Sequence, residues 1–186
     1  EILETLNAQV AAGRVRYFGC SNWRTERIAE AQAYAQAHGL QGFSANQMMW
    51  SLAAANPKAL GDPTLVAMDA GMARLHAETG LAAVPYTSQA HGFFHKLEAG
   101  AILDAQAFRG GVYAGSLNQT RYARLLELRA QTGLSLTQLV LGYLISQPFP
   151  TVPVIGPASI AQLMDSLTAA DVTLSPEEVA YLSADD

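Results

Sequence analysis

The sequence predicts an α/β protein, and three observations predict it. Four runs rich in β-branched, aromatic and other apolar residues alternate with helical patterns. The runs lack a clean two-residue alternation, as strands do when helices cover both faces of a parallel sheet. No GxGxxG turn occurs, so four strand–helix units fit half of a (β/α)8 TIM barrel better than a Rossmann domain.

Taken in order, Ile2, Leu3, Leu6 and Val10 recur at helical spacing, and Gly13 is a good stop. RVRYFGCS reads as the first strand, and Asn22 or Thr25 can cap a helix over Glu26 to His38. Phe43 to Trp50 is the second strand; a loop punctuated by Pro and Gly then leads to a helix from Leu65 to Thr79. Leu81 to Ser88 is the third strand. The connection from Gln89 to Asn118 is long for a compact domain, which suits a segment covering a ligand. Helices follow over Gln119 to Gln131 and from Ser135 to before Pro148. Thr151 to Gly156 is the fourth strand, and the last helices run from Ile160 to Ala169 and from Pro176 to Leu182. The last has Ser175 and Glu178 as a capping box.

Composition narrows the function. With 186 residues, 50% hydrophobic and 15% charged, the chain can bury a core and is expected to form one domain over 1–186. A net charge of −5 with scattered basic residues argues against a nucleic-acid surface or an anionic membrane face. Cys20 is the single cysteine, which fits a reducing compartment, and no apolar run approaches a membrane span, so a cytoplasmic protein is expected. The opening EILETL, already helical, reads like a piece of something longer.

In parallel α/β sheets ligands gather at the carboxyl ends of the strands. There stand Ser21 and Asn22, Asn46 and Gln47, Tyr86 to Ser88, and Gly156 to Ser159. No nucleophile–base pair, carboxylate pair or metal cluster is among them. Amides that both donate and accept, with a tyrosine face, suit a planar carboxamide-bearing ligand.

At these positions the chain resembles the aldo-keto reductases. GRVRYFGCSN is similar to that family's GKIRxIGVSN, FSANQMMWSL to its QxxYxxL strand, and VPYTSQAHGFF to its AYSPLxxG turn. The stretch from Leu136 to Leu167 resembles its C-terminal motifs, so four matches occur in the family's order. The resemblance implies a barrel that binds NADP(H) in extended form. Ser21, Asn22 and Gln47 match the positions that hold the nicotinamide carboxamide, and Tyr86 the ring stacked on it. Thr87, Ser88, Gln89 and Gly92 match the loop along the pyrophosphate. Gly156, Pro157, Ala158 and Ser159, with Gln162, Asp165 and Ser166, match the adenosine end.

Two departures qualify the expectation. The family's catalytic Tyr, Lys, Asp and His come from the first half of the barrel, and none of His38, His76, His91 and His95 fills that role. The chain therefore reads as the cofactor-binding, C-terminal half of a reductase of aldehydes, ketones or sugars, inactive by itself. In addition, Gly156, Pro157, Ala158 and Gln162 bring no charge for a 2′-phosphate, so NAD(H) is admitted beside NADP(H). The competing function is a non-catalytic dinucleotide-binding module like the potassium-channel β-subunits of the same family.

Blander roles compete at each site. Ser21 and Asn22 can be a helix cap, Gln47 a satisfied buried amide, and Tyr86 a core aromatic. Cys20 reads as an inert thiol, His91 and His95 as solvated loop residues, and Trp23 and Trp50 as the rim of a substrate pocket. Four unclosed strands leave two open sheet edges, so self-association is expected.

Overall fold

Three short parallel strands in the order β1-β2-β3 hold the molecule together: β1 (Gly19–Ser21), β2 (Ala45–Gln47) and β3 (Ala82–Ala83). The computed structural model describes residues 1–102 and 108–185. Residues 103–107, within the long connection expected from Gln89 to Asn118, lie outside the described residues. Gly19 stands opposite Ala45, Cys20 opposite Asn46 and Ser21 opposite Gln47; Asn46 in turn faces Ala83. Gly19 is required at its place, because a Cβ there would lie 2.4 Å from the Ala45 carbonyl oxygen.

The fourth expected strand continues this ladder with one rung missing. Thr151 bridges Ala83 in parallel, the Ala83 amide donates to Pro150 O at 2.8 Å, and Val152 and Val154 donate to Ala83 O and Pro85 O at 2.8 and 2.9 Å. Proline has no N–H, so Pro85 cannot return the bond that alternation would send to Val152. That is why 151–156 is an extended segment with one bridge rather than a full strand.

Helices cover the strands: α1 (Ile2–Ala11), α2 (Thr25–Ala37), α3 (Ala70–Thr79), α4 (Phe93–Glu98), α5 (Ser116–Thr132), α6 (Leu136–Ile145), α7 (Ile160–Leu167) and α8 (Pro176–Ser183). The expected capping box at Ser175 and Glu178 is present, as is one at Ser135 and Gln138. Three expectations need correction. The helix expected from Leu65 begins at Ala70, because Asp69 caps it through Met72 N at 2.8 Å. Residues 65–68 run extended beside β2 instead, Met49 N donating to Val66 O and Met68 N to Met49 O, both at 2.9 Å. A four-residue apolar run fits a strand as well as a helix. The first strand is shorter than RVRYFGCS, since Val15 and Tyr17 are exposed and pair with nothing among the described residues. Neither Asn22 nor Thr25 caps α2: its N-cap is Arg24, without a side-chain bond.

Among the described residues the core has two clusters. One gathers Phe93, Phe94, Tyr113, Leu125, Leu139, Leu144 and Leu182 beneath the long connection. The other packs Ile28, Phe43, Met48, Met72, Leu81 and Phe149 against the sheet. Through this second cluster runs a polar seam that fixes which way the strand residues face. Asn46, fully buried, lies 3.3 Å from His76 Nε2 and 3.5 Å from the Cys20 thiol, and His76 Nδ1 lies 2.6 Å from Leu81 O. A carbonyl only accepts, so Nδ1 carries the proton, Nε2 accepts from the Asn46 amide, and Asn46 Oδ1 accepts from Cys20. Asn46 therefore belongs to the core, and its neighbour Gln47 points the other way.

Candidate functional site

Past the ends of β1, β2 and β3 the polar residues converge. Asn22 has a positive φ of 56°, which turns its side chain off the strand direction. Its backbone N–H still extends the ladder to Gln47 O at 2.9 Å. Its side-chain Oδ1 accepts from Tyr86 Oη at 2.7 Å and from Val66 N at 3.2 Å. Ser21 Oγ donates to Gln47 Oε1 at 3.4 Å. Ser21, Asn22, Gln47 and Tyr86 thus share one rim, and the amide groups of Asn22 and Gln47 keep their N–H donors uncommitted among the described residues. Burial pushes the Tyr86 phenol above its ordinary value, so at neutral pH it is a donor and an aromatic face.

From Tyr86 the chain passes into a run of unusual backbone. Thr87, Ala90 and His91 all have positive φ, and Gly92 follows at 75°. Non-glycine residues rarely adopt this region, and such strain concentrates at ligand sites. The hydroxyls of Thr87 and Tyr113 are buried close to each other and make no hydrogen bond to any other group among the described residues. Both line a cavity of about 220 Å³ together with Tyr86, His91 and Arg109.

An adjoining cavity of about 590 Å³ collects most of the remaining predicted residues: Thr87, Ser88, Gln89, Gly92, Gly156, Pro157, Gln162, Asp165 and Ser166. Several of their side chains already have internal work. Ser88 Oγ donates to Val154 O at 2.6 Å, latching β3 to the last extended segment. Gln89 Nε2 donates to Ser166 Oγ at 3.1 Å, tying the strained loop to α7. Ser159 Oγ caps α7 through Gln162 N at 3.2 Å, and Gln162 Oε1 accepts from Ala158 N at 2.7 Å. Ala158 and Ser159 are exposed beside this cavity, and what they lend a ligand is the shape of the helix start.

The same cavity shows what the sequence concealed. His95 is half-buried rather than solvated, and its Nε2 lies 2.9 Å from Thr137 Oγ1. Thr137 donates to Asp165 Oδ2. Lys96 also lines this wall, its ammonium bonded to His91 O at 2.9 Å. Trp50 packs against Tyr143 and Phe149 and lines a further cavity of about 950 Å³ with Met49, Ala67 and Tyr143. Trp23 lies edge-on to Phe43 under the Arg27 guanidinium. Cys20 is inert, its thiol pushed up to about 11 by burial.

This donor set fits a nicotinamide dinucleotide. The rim offers uncommitted amide donors and a flat aromatic face, Thr87 of the strained loop and Tyr113 offer two buried hydroxyls, and the larger cavity ends at a helix start. Against that geometry, the profile of the aldo/keto reductase family matches residues 1–185. The chain belongs to the aldo/keto reductase family. Norsolorinic acid reductase B of Dothistroma septosporum is 24% identical over 185 residues, covering 99% of this chain and 44% of that protein. An uncharacterized oxidoreductase of Bacillus subtilis is 26% identical, covering 98% of this chain and 52% of that protein. An aldo/keto reductase from Klebsiella pneumoniae, solved with NADP and acetate, has the same fold with a TM-score of 0.60 at 21% identity. A thermostable aldo-keto reductase solved with the inhibitor epalrestat gives 0.66 at 18%. This aldo/keto reductase chain spans about half the length of these relatives, from 44% to 53%. Its fold is accordingly part of a (β/α)8 barrel.

Proposed function

We propose that the chain is the dinucleotide-binding, C-terminal half of an NADP(H)-dependent reductase of aldehydes, ketones or sugars, able to take NAD(H) as well. The observation that carries the reading is the single rim shared by Ser21, Asn22, Gln47 and Tyr86. When bound, the dinucleotide supplies the hydride for carbonyl reduction. The amides of Asn22 and Gln47 and the Ser21 hydroxyl would hold the carboxamide, the amide N–H groups as donors and the oxygens as acceptors. The Tyr86 ring sets the plane, with its hydroxyl pinned on Asn22. Thr87 and Tyr113 supply buried hydroxyls beside the linking phosphates. Gly156, Pro157 and Gln162 form the adenosine wall, and the positive end of α7 favours an anion there.

No residue of this rim is a proton donor poised for a carbonyl, since the Tyr86 hydroxyl is spent on Asn22. The chain alone is therefore expected to bind without turnover. Titration of the purified chain with NADPH and NADH by calorimetry tests the reading. Saturable binding of NADPH that Asn22→Ala weakens supports it; no heat of binding at millimolar nucleotide refutes it. Carbonyl reduction by the chain alone would refute the division of labour.

A further inference from the structure

The cavity of about 950 Å³ beside Trp50 is lined by none of the residues assigned to the dinucleotide. Its walls are apolar along Met49, Trp50, Leu60 and Val66, and the Tyr143 ring stands edge-on to Trp50 at 6.0 Å. Arg121 of α5 also lines it and is only 8% exposed. A buried charge needs a full set of partners, and Arg121 does not have one. Its Nη1 donates to Leu52 O and its Nη2 to Ser183 O, both at 2.7 Å, and both acceptors are neutral. Its charged partner among the described residues is Asp185, beyond α8, which is 86% exposed and 3.2 Å from Nη2. That is long for a charge-assisted bond, where about 2.7–2.9 Å is usual. Nε is buried with no partner among the described residues.

Nε and Nη2 form one edge of the guanidinium, an edge that a carboxylate can grip with both oxygens. Asp185 holds it by one atom. The other carboxylates along the cavity are exposed and occupied elsewhere or offset. Asp62 accepts from the Thr64 amide and hydroxyl, Asp69 caps α3 through Met72 N, and Glu26 lies two residues from Arg24. Charges in water are screened, whereas Arg121 acts from a buried site of lower dielectric.

We propose that this cavity is a second small-molecule site, for an aromatic carboxylic acid whose carboxylate replaces Asp185 on the Nε–Nη2 edge of Arg121. The aromatic body packs against Trp50 and Tyr143, which offer ring faces and edges. The acid is selected over its neutral amide because only the acid answers the charge of Arg121. Asp185 is an internal competitor, and an exposed ion pair is worth little, so displacing it costs little. The site does not depend on the dinucleotide reading.

The test measures, by ligand-observed NMR, the Kd of the purified chain for naphthalene-2-carboxylate and for naphthalene-2-carboxamide. The acid is expected to bind about tenfold or more tightly than the amide, as for a hydrogen bond to a charged group. Asp185→Asn, at an exposed position, removes the competing charge. It is expected to tighten the acid about threefold and to leave the amide within about twofold. Arg121→Lys keeps the charge but loses the planar edge, and is expected to weaken the acid about tenfold. If the lysine variant does not fold, the asparagine variant decides by itself. Equal affinity for acid and amide overturns the proposal, as does no binding of the acid at millimolar concentration. So does an acid affinity that Asp185→Asn leaves unchanged or lowers, or that a folded Arg121→Lys retains in full.

Discussion

The hydroxyl of Tyr86 donates a 2.7 Å hydrogen bond to Oδ1 of Asn22, a residue 64 positions earlier in the chain. That bond joins the ends of the first and third strands across the second. It also decides between two roles for Asn22, because an oxygen engaged by Tyr86 and Val66 does not cap a helix. The Asn22 side-chain N–H donors have no partner among the described residues.

Removing either side of this pair separates backbone from binding. Tyr86→Phe keeps the ring and is expected to cost about 1 kcal/mol in stability and a few-fold in NADPH affinity. Asn22→Gly relieves the positive φ but removes the acceptor for both Tyr86 and Val66, and should lower affinity about tenfold with a net stability loss of about 1 kcal/mol. Calorimetric titration and urea denaturation of the same variants read the two effects apart.

Acid should loosen the fold through His76. Burial holds this imidazole below its ordinary value. The neutral ring also satisfies both neighbours, whereas an imidazolium would set a second donor against the Asn46 amide. In the unfolded chain histidine protonates near pH ~6.5, so below that the unfolded state binds more protons than the folded one. Stability is therefore full above this value and falls as the pH drops from about 6.5 towards the lower folded value. His91 and His95 are lowered too, with the same sign. Denaturation midpoints should decline between about pH 7.5 and 5.5, with a shallower slope in His76→Leu.

Close strand approach makes Gly19 intolerant. Gly19→Ala drives a Cβ to 2.4 Å from Ala45 O, a backbone atom that cannot give way as a flexible side chain would, and is expected to cost about 2–4 kcal/mol. Gly156→Ala meets nothing within 4 Å and should shift the denaturation midpoint little. Equal losses in the two variants would contradict this packing.

The outer side of α7 carries the molecule's clearest apolar stripe. Ile160, Leu163, Met164 and Leu167 recur at helical spacing and are exposed, Ile160 by 80% and Met164 by 57%, with Val152 and Val154 exposed on the neighbouring segment. We propose that the chain self-associates through this face and its open strand edges. Sedimentation velocity should show association that rises with concentration and that Met164→Glu with Leu167→Lys suppresses; a monomer throughout would contradict it.

What the sequence made legible were the features written in short range. The capping boxes at Ser135 and Ser175 need only four consecutive residues, and the strand–helix order follows from apolar runs and glycine stops. Residues 65–68 were misread because their partner, Met49, is distant and an apolar run that short has no period of its own. Asn22 was legible as a site residue only through its motif. Its local context favoured a cap, and the deciding bonds to Tyr86 and Val66 are long-range. His95 and Thr137 gave no local signal, since the bonds that define them span 42 and 28 positions. The exposed Ser159 and Gln162 match the same four-residue spacing as the capping boxes, and their polar atoms serve the start of α7.

The missing rung at Pro85 has a consequence for how the adenosine wall is hung. Above Ala83 the segment bearing Gly156 is fastened to β3 by the Val154 amide on Pro85 O and by Ser88 Oγ on Val154 O. Those two clasps act on a single residue, so the wall hangs from Val154. Exchange of its amide hydrogen with solvent should report on how firmly the wall is held, and should slow when nucleotide is bound.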